Sequence, residues 1–255
     1  MSPEWLALAA GFFAVAALYA SVGFGGGSSY LALLALVLAG DTALMRSTAL
    51  LCNLAVVSGS TWLYARGGHI AWRRALPFVA LSVPAAYLGA TVRLDDRAFF
   101  LLLGATLLAA AALLAWRALR GGGADDLAAR ASPTWTAPAL GAGLGGLAGA
   151  VGIGGGIFLA PVLHHLRWAR PLEIAALASL FILVNSAAGL LGLATSGQLR
   201  VDAWGTPLCL LAVIAGGQLG VRLALRRLSG RAIRLVTAAL VGAVGVRMLL
   251  VHLGG

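Results

Sequence analysis

Residues 23–34 read GFGGGSSYLALL, and residues 152–163 read GIGGGIFLAPVL. Each stretch places four glycines within five positions. The first glycine cluster is Gly23, Gly25, Gly26 and Gly27, and the second glycine cluster is Gly152, Gly154, Gly155 and Gly156. Glycine costs about 1 kcal/mol per residue in a helix interior and adopts positive φ without strain. Each cluster therefore predicts a helix break, and a short apolar segment follows each one.

The composition around these breaks is typical of a membrane protein. Of the 255 residues, 61% are hydrophobic and 10% are charged, and the mean hydropathy is +0.96. A soluble domain of this length needs far more charged surface, so we expect the apolar excess to face lipid. All 18 cationic residues are arginines, and the formal net charge is +10. Because most of them lie in short gaps between apolar runs, as the positive-inside rule places them, we expect no nucleic-acid partner.

The apolar runs predict ten helices. A transmembrane helix needs about 20 mostly apolar residues. The predicted helices are 4–22, 28–39, 42–65, 75–92, 98–119, 136–151, 156–166, 173–195, 205–224 and 231–252. The segments 28–39 and 156–166 are about half the length of a span. The first run lacks the basic residues that open a secretory signal, so we expect it to be retained.

The arginine-rich gaps orient the chain. Four of them can face the cytoplasm together if each glycine-broken hairpin enters and leaves the membrane on one side. Their arginines are Arg66, Arg73 and Arg74; Arg117, Arg120 and Arg130; Arg167 and Arg170; and Arg222, Arg226, Arg227, Arg231 and Arg234. Segment 4–39 then opens to the outside, segment 136–166 opens to the cytoplasm, and both chain ends lie outside. We predict a first transmembrane repeat at 1–120, a cytoplasmic linker at 121–135 and a second repeat at 136–255.

The two halves match beyond the glycine clusters. Gly23 and Gly152 are 129 residues apart, and further pairs follow in order at separations of 130 to 134. These pairs are Asp41 and Glu173, Ser47 and Ser179, Asn53 and Asn185, Trp72 and Trp204, Pro77 and Pro207, Gly89 and Gly220, and Arg97 and Arg231. The ordered series indicates an internal duplication. The predicted fold class is therefore all-α: a polytopic membrane protein of two inverted repeats, each a glycine-broken hairpin followed by three transmembrane helices.

The residues at the breaks favour an anionic ligand. Inverted repeats with glycine-interrupted helices are typical of secondary transporters, which bind their substrate at the breaks. The half-helices start near Ser28 and Ile157, where free N–H groups and positive dipole ends attract anions. The interiors of the predicted spans carry no acidic residue, since those near the spans fall at predicted ends, whereas a cation site usually needs a carboxylate. We expect no metal, no cofactor and no catalytic residue. The predicted substrate-binding residues are Gly23, Gly25, Gly26, Gly27, Ser28, Ser29, Asn53, Gly152, Gly154, Gly155, Gly156, Ile157 and Asn185.

Some of these residues also have a purely structural interpretation. Glycines inside membrane helices serve close helix packing, and Asn53 and Asn185 can form hydrogen bonds between helices. Asp41 and Glu173 are expected to be helix N-caps, with Pro171 just ahead of Glu173.

The two glycine-rich stretches resemble the paired signatures of the sulfite exporter TauE/SafE family, also called the toluene sulfonate uptake permease family. The resemblance covers essentially the whole chain, with its two related halves and central polar linker. The second stretch has the proline that the family often carries five residues after the last glycine, Pro161, whereas the first has Ala32 there. The resemblance implies transport of small sulfur-containing anions, such as sulfite or organosulfonates, across the bacterial cytoplasmic membrane. It does not carry over the direction of transport.

Three functions stay open at this point. The leading hypothesis is an alternating-access carrier for a small anion, which makes the protein a transporter and not an enzyme. The alternatives are an anion-selective channel of the same architecture and a non-transporting membrane enzyme or scaffold. The expected partners are the small anionic substrate and the lipid bilayer, and homo-oligomerisation is left open.

Overall fold

A computed structural model describes residues 3–20, 25–38, 40–119, 136–166, 168–224 and 230–253. This part of the chain forms ten α-helices and no β-strand, which confirms the predicted all-α class. The helices are α1 (Pro3–Ala20), α2 (Gly27–Val37), α3 (Thr42–Arg66), α4 (Trp72–Thr91), α5 (Asp96–Leu119), α6 (Thr136–Val151), α7 (Gly156–His165), α8 (Pro171–Thr195), α9 (Gly205–Ala224) and α10 (Gly230–Leu253). Their ends differ from the predicted ones by at most three residues. The predicted linker at 121–135 and Gly23 lie outside the described residues.

The helices have the composition and surface of membrane spans. Within the described residues, three helical stretches are long and apolar enough to cross a bilayer: Thr42–Arg66, Asp96–Trp116 and Leu172–Thr195. Several others, including most of α1 and α6, are apolar but shorter. Large hydrophobic side chains cover the outside of the bundle, and Leu76 and Leu250 are 66% and 70% exposed. Such a surface faces lipid, so the chain is a polytopic membrane protein.

The contacts between helices repeat when the two halves of the chain are exchanged. With α1–α5 matched to α6–α10, the contact of α1 with α9 corresponds to that of α6 with α4. α3 packs on α8 and α5 packs on α10, so in these two pairs corresponding helices meet each other. The first helix of each half therefore packs against the other half.

Glycines bring α4 and α6 into backbone contact. Gly141, Gly145 and Gly149 lie one turn apart on α6, and a Cβ on any of them would collide with a carbonyl oxygen of α4. These carbonyl oxygens belong to Phe78, Ser82 and Ala86. Because residue numbers rise together along both helices, α4 and α6 run parallel. Close approach over small residues is how membrane helices gain packing energy without large apolar side chains.

The corresponding pair, α1 and α9, is built in the same way. Gly216 and Gly220 on α9 meet the carbonyl oxygens of Phe13 and Ala17 on α1. Residue numbers again rise together, so these two helices are also parallel.

Corresponding helices of the two halves run antiparallel where they meet. Between α3 and α8, Leu50 contacts Gly189, while the hydroxyls of Ser60 and Ser179 lie 2.8 Å apart. Residue numbers therefore fall along one helix as they rise along the other. Two contacts give the same result for α5 and α10: Gly104 with Leu249, and Gly242 with Ala111.

Loop contacts define the two ends of the bundle. At one end, the Trp168 ring after α7 packs edge-on against Phe78 of α4 at 5.4 Å, with the Arg74 guanidinium 6.0 Å from its centroid. At the other end, Arg93 after α4 donates to the Ser196 carbonyl after α8 at 2.9 Å. The α3–α4 loop, flanked by Arg66, Arg73 and Arg74, and the α7–α8 loop with Arg170 therefore share one end, as the predicted orientation requires.

The two predicted N-caps have different outcomes. Asp41 caps α3, since its carboxylate accepts the Leu44 N–H at 2.9 Å, which confirms the prediction. The prediction for Glu173 is wrong, because Arg170 is the N-cap and Pro171 begins α8. Proline at the first helical position places Glu173 inside the first turn, where its charge complements the helix dipole.

We expect Gly149→Ala to destabilise the protein by about 1–3 kcal/mol, because the added methyl overpacks the contact of α6 with the Ala86 carbonyl. Gly143 on the same helix is the matched control, since among the described residues nothing beyond the helix's own backbone lies within 4 Å of its Cβ position. Gly143→Ala should be neutral or stabilising through helix propensity. Thermal unfolding of both variants in detergent measures the difference, and equal midpoints would contradict the close approach of α4 and α6.

Candidate functional site

The two glycine clusters share one left-handed glycine just before their half-helices, while the second cluster has further positive φ angles at Gly152 and Gly154. Gly26 has φ +83°, and Gly155, at the corresponding position, has φ +82°. Their carbonyls accept the first helical hydrogen bonds, from Ser29 and Tyr30 in α2 and from Phe158 and Leu159 in α7, at 2.9 to 3.2 Å. The N–H groups that precede these bonds have no acceptor within their own helix. They belong to Gly27 and Ser28 in α2 and to Gly156 and Ile157 in α7.

Asn53 on α3 lies where the two glycine clusters meet. Its Nδ2 donates to the Ile153 carbonyl, inside the second cluster, at 3.2 Å. A Cβ on Gly27 would collide with the Asn53 amide and lie 2.7 Å from the Ile153 oxygen. A Cβ on Gly154 would lie 2.9 Å from Asn53 Nδ2. The two breaks are therefore in contact around one buried amide, and the space between them admits no side chain at these glycines.

Helix α8 forms the opposite wall of the site. The Ile182 Cγ2 lies 3.5 Å from the Cβ position of Gly25 and 3.0 Å from that of Gly154, so this side chain touches both clusters. Ser186 lies one turn further along, with its Oγ 3.1 Å from the Gly154 position. Asn185 stands beside Ser186 and is 1% exposed. The antiparallel helices α3 and α8 thus hold both breaks between them.

Buried polar atoms without a hydrogen-bond partner are concentrated here. Within the described residues, these atoms are Tyr30 Oη, Arg46 Nε, Asn53 Oδ1, Asn185 Nδ2 and Oδ1, and Ser186 Oγ. Each residue contacts a glycine of a cluster, except Asn185, which neighbours Ser186. An unpaired buried polar group costs about 1–3 kcal/mol and is rare away from functional positions. This concentration is typical of a site that binds a polar ligand.

The two predicted serines have different surroundings. Ser28 is 1% exposed in the first turn of α2, next to the break. The Ser29 hydroxyl instead lies 3.0 Å from the Tyr19 hydroxyl and ties α2 to α1. Tyr30 stacks on Phe12 with ring centroids 4.6 Å apart, which fixes the same two helices. The contacts of Ser29 are therefore those of a packing residue of the first hairpin.

Hydroxyl groups extend the polar region along α3 and α8 toward both ends of the bundle. They are Thr48 with Thr206 at one end and Ser179 with Ser60 and Thr61 at the other, at oxygen–oxygen distances of 2.8 to 3.1 Å. Ser47, next to Thr48, accepts the Arg200 N–H at 3.1 Å. Polar side chains thus continue along α3 on either side of Asn53, facing α9 and the α8–α9 loop at one end and α8 at the other.

Arg46 was not among the sequence-predicted site residues, although it lies at the second cluster. It is 3% exposed, and a Cβ on Gly152 would lie 3.2 Å from the Arg46 Cβ. One sequence signal could have identified Arg46 as a site residue. It lies inside the predicted span 42–65, and no acidic residue lies three or four positions away to pair with it. An arginine in such a position is a candidate functional residue.

The charge balance of the site favours an anion. Two helix N-termini, a carboxamide, several hydroxyls and one guanidinium surround the breaks, and all of them can donate hydrogen bonds. In the part of the chain that the structure describes, no aspartate or glutamate is buried. A desolvated set of donors without a carboxylate is suited to hold an oxyanion.

Comparison with known proteins agrees with this architecture. The profile of the sulfite exporter TauE/SafE family matches residues 7–248. A protein of Sinorhizobium fredii (strain NBRC 101917 / NGR234), named "Probable membrane transporter protein y4hK", is 35% identical over 250 residues, which cover 98% of this chain and 100% of that relative. No solved structure matches the chain. Its apolar helices and these similarities assign it to the bacterial cytoplasmic membrane as a multi-pass protein. The chain therefore belongs to the sulfite exporter TauE/SafE family.

Proposed function

We propose that this protein is a secondary transporter of small sulfur-containing anions, such as sulfite or organosulfonates, across the cytoplasmic membrane. The observation that carries the proposal is the contact of the two glycine breaks around Asn53, with unpaired polar atoms beside them. The anion is held near the midplane by the N-termini of α2 and α7. The sulfur chemistry of the substrate rests on the family, and the relative in Sinorhizobium is itself named a probable membrane transporter.

The same proposal includes two repeats that are inverted in the membrane. The antiparallel packing of α3 on α8 and of α5 on α10 supports it, because inverted repeats place corresponding helices in opposite directions. The hairpin of α1 and α2 then opens to one side of the membrane, and the hairpin of α6 and α7 opens to the other. The breaks lie between two aqueous approaches, which is the arrangement that alternating access needs.

Purified protein in liposomes should take up radiolabelled sulfite or methanesulfonate with saturable kinetics, and substrate on the far side should stimulate uptake. The double variant Asn53→Ala with Asn185→Ala should raise the Michaelis constant about tenfold or more, because hydrogen bonds to a charged ligand are lost. Ser58→Ala, on the exposed face of α3, is the control and should behave like the wild type. Flux that does not saturate would indicate a channel, and no flux would contradict a transporter of these anions.

Asn185→Leu should separate stability from transport. Neither amide atom of Asn185 has a partner among the described residues, so a leucine of similar size should raise the thermal stability of the ligand-free protein. The same change should reduce uptake strongly, because the carboxamide is lost from the site. Melting temperature and flux are measured on the same preparations. A lower melting temperature would indicate instead that Asn185 stabilises the helix packing.

The orientation of the repeats can be tested with single cysteines in intact cells. Arg200→Cys should react with a membrane-impermeant thiol reagent, whereas Arg73→Cys should react only after the membrane is permeabilised. Both positions are exposed, at opposite ends of the bundle, and the native Cys52 and Cys209 are buried, so background labelling should be low. Labelling of Arg73→Cys in intact cells would show that the protein has the opposite orientation in the membrane and would contradict the proposal.

A further inference from the structure

Arg46 is a buried positive charge with no counter-charge among the residues that the structure describes. Its Nη2 donates to the carbonyls of Ala90 at 2.9 Å and Gly149 at 3.0 Å, and its Nε has no partner. No carboxylate in the described ranges forms an ion pair with it. A charged side chain at membrane depth is costly, and arginines in such positions usually face a protein cavity and pair with an opposite charge or a carbonyl.

The two carbonyl contacts hold the guanidinium in a fixed plane. Ala90 and Gly149 lie in the last turns of α4 and α6, which run parallel and end side by side. Free carbonyls and negative dipole ends collect at such a place, and a cation there is stabilised. Capping these two helices uses only Nη2. The Nε–H is a separate, desolvated donor that this structural role leaves without an acceptor.

Arg46 lies on the face of α3 that lines the breaks. Positions 46, 50, 53 and 57 form one stripe along the helix. Three of them meet a glycine of a cluster: Arg46 meets Gly152, Asn53 meets Gly27 and Gly154, and Val57 meets Gly25. Arg46 and Asn53 are seven residues apart, which is about two helical turns or 10 Å. Only Leu50, an uncharged buried side chain, lies between them on this stripe.

The charge is present in only one of the two repeats. At the separation of 132 residues that relates Asn53 to Asn185, the residue corresponding to Arg46 is Ala178. The carbonyl of Ala178 lies 3.3 Å from the Cβ position of Gly156. The second glycine cluster therefore has a cation beside it on α3, whereas the corresponding position on α8 is an alanine.

We infer that Arg46 is the charged contact of the transported anion, at the second glycine cluster, with its Nε–H donating to an oxygen of the anion. The inference rests on the proposed transport function and goes beyond it by assigning the residue that selects for negative charge. A guanidinium suits a sulfur oxyanion because its N–H groups point in fixed directions. The fixed charge also makes the anion path one-sided, since Arg46 lies toward the end of the bundle that carries Arg93 and Ser196.

Uptake of radiolabelled sulfite and methanesulfonate into liposomes is measured for Arg46→Gln, Arg46→Lys and the control Arg93→Gln. Arg93 is an exposed arginine that also donates to a backbone carbonyl, so its variant should retain wild-type kinetics. Arg46→Gln should raise the Michaelis constant about 10- to 100-fold, as expected for the loss of a charge-assisted hydrogen bond. Arg46→Lys should raise it less, because it keeps the charge but not the fixed N–H geometry.

Melting temperatures of the same variants, with and without sulfite, separate binding from helix capping. The inference predicts that sulfite raises the melting temperature of the wild type and of Arg93→Gln but not that of Arg46→Gln. If Arg46 only caps α4 and α6, Arg46→Gln melts lower without ligand yet keeps its Michaelis constant and its stabilisation by sulfite, which overturns the inference. If the wild type shows neither saturable uptake nor stabilisation by either anion, the proposed transport function itself is overturned.

Discussion

The main constraint on this fold is that broken backbone inside the membrane needs hydrogen-bond partners from the protein. The hydrogen bond from Asn53 to the Ile153 carbonyl supplies one of them. Backbone that leaves the helical conformation inside a bilayer exposes polar groups that lipid cannot satisfy. Here the two breaks are packed against each other, between α3 and α8, and a side chain of α3 satisfies a carbonyl of the opposite half. The positions of α3 and α8 at the centre of the bundle follow from this requirement.

Glycine has two separate roles in building the rest of the bundle. In the clusters, positive φ at Gly26 and Gly155 turns the chain into α2 and α7. Along α6 and α9, spaced glycines admit the backbones of α4 and α1. The second role places the first helix of each half against the other half, so the two sequence repeats interdigitate. The two halves of the chain therefore form one bundle and not two separately packed domains.

The helices and their breaks could be predicted from the sequence, because apolar runs and glycine clusters act locally. The sequence predicted that Asn53 faces the same cavity as the glycine clusters, but it could not predict the hydrogen bond itself. The partner of the amide, Ile153, is 100 residues away in the chain. Arg46 was missed because a single arginine near the start of a span resembles an interfacial charge, and its burial depends on where α4 and α6 end. Glu173 was misplaced as a cap because Pro171 starts α8 earlier than the acidic residue suggests.

In an alternating-access carrier, the symmetry between the two repeats determines whether the two facing states have equal energy. If the repeats were identical, exchanging their conformations would produce the opposite-facing state at equal energy, and the anion would meet the same groups from either side. If Arg46 binds the anion as inferred, a guanidinium in α3 with alanine at the corresponding place in α8 removes that equality, because only one repeat supplies the charged contact. A ligand shifts a conformational equilibrium only by its differential affinity for the two states. On that inference, the unduplicated charge of Arg46 lets the bound anion favour one facing of the carrier over the other, which groups present in both repeats cannot do by themselves.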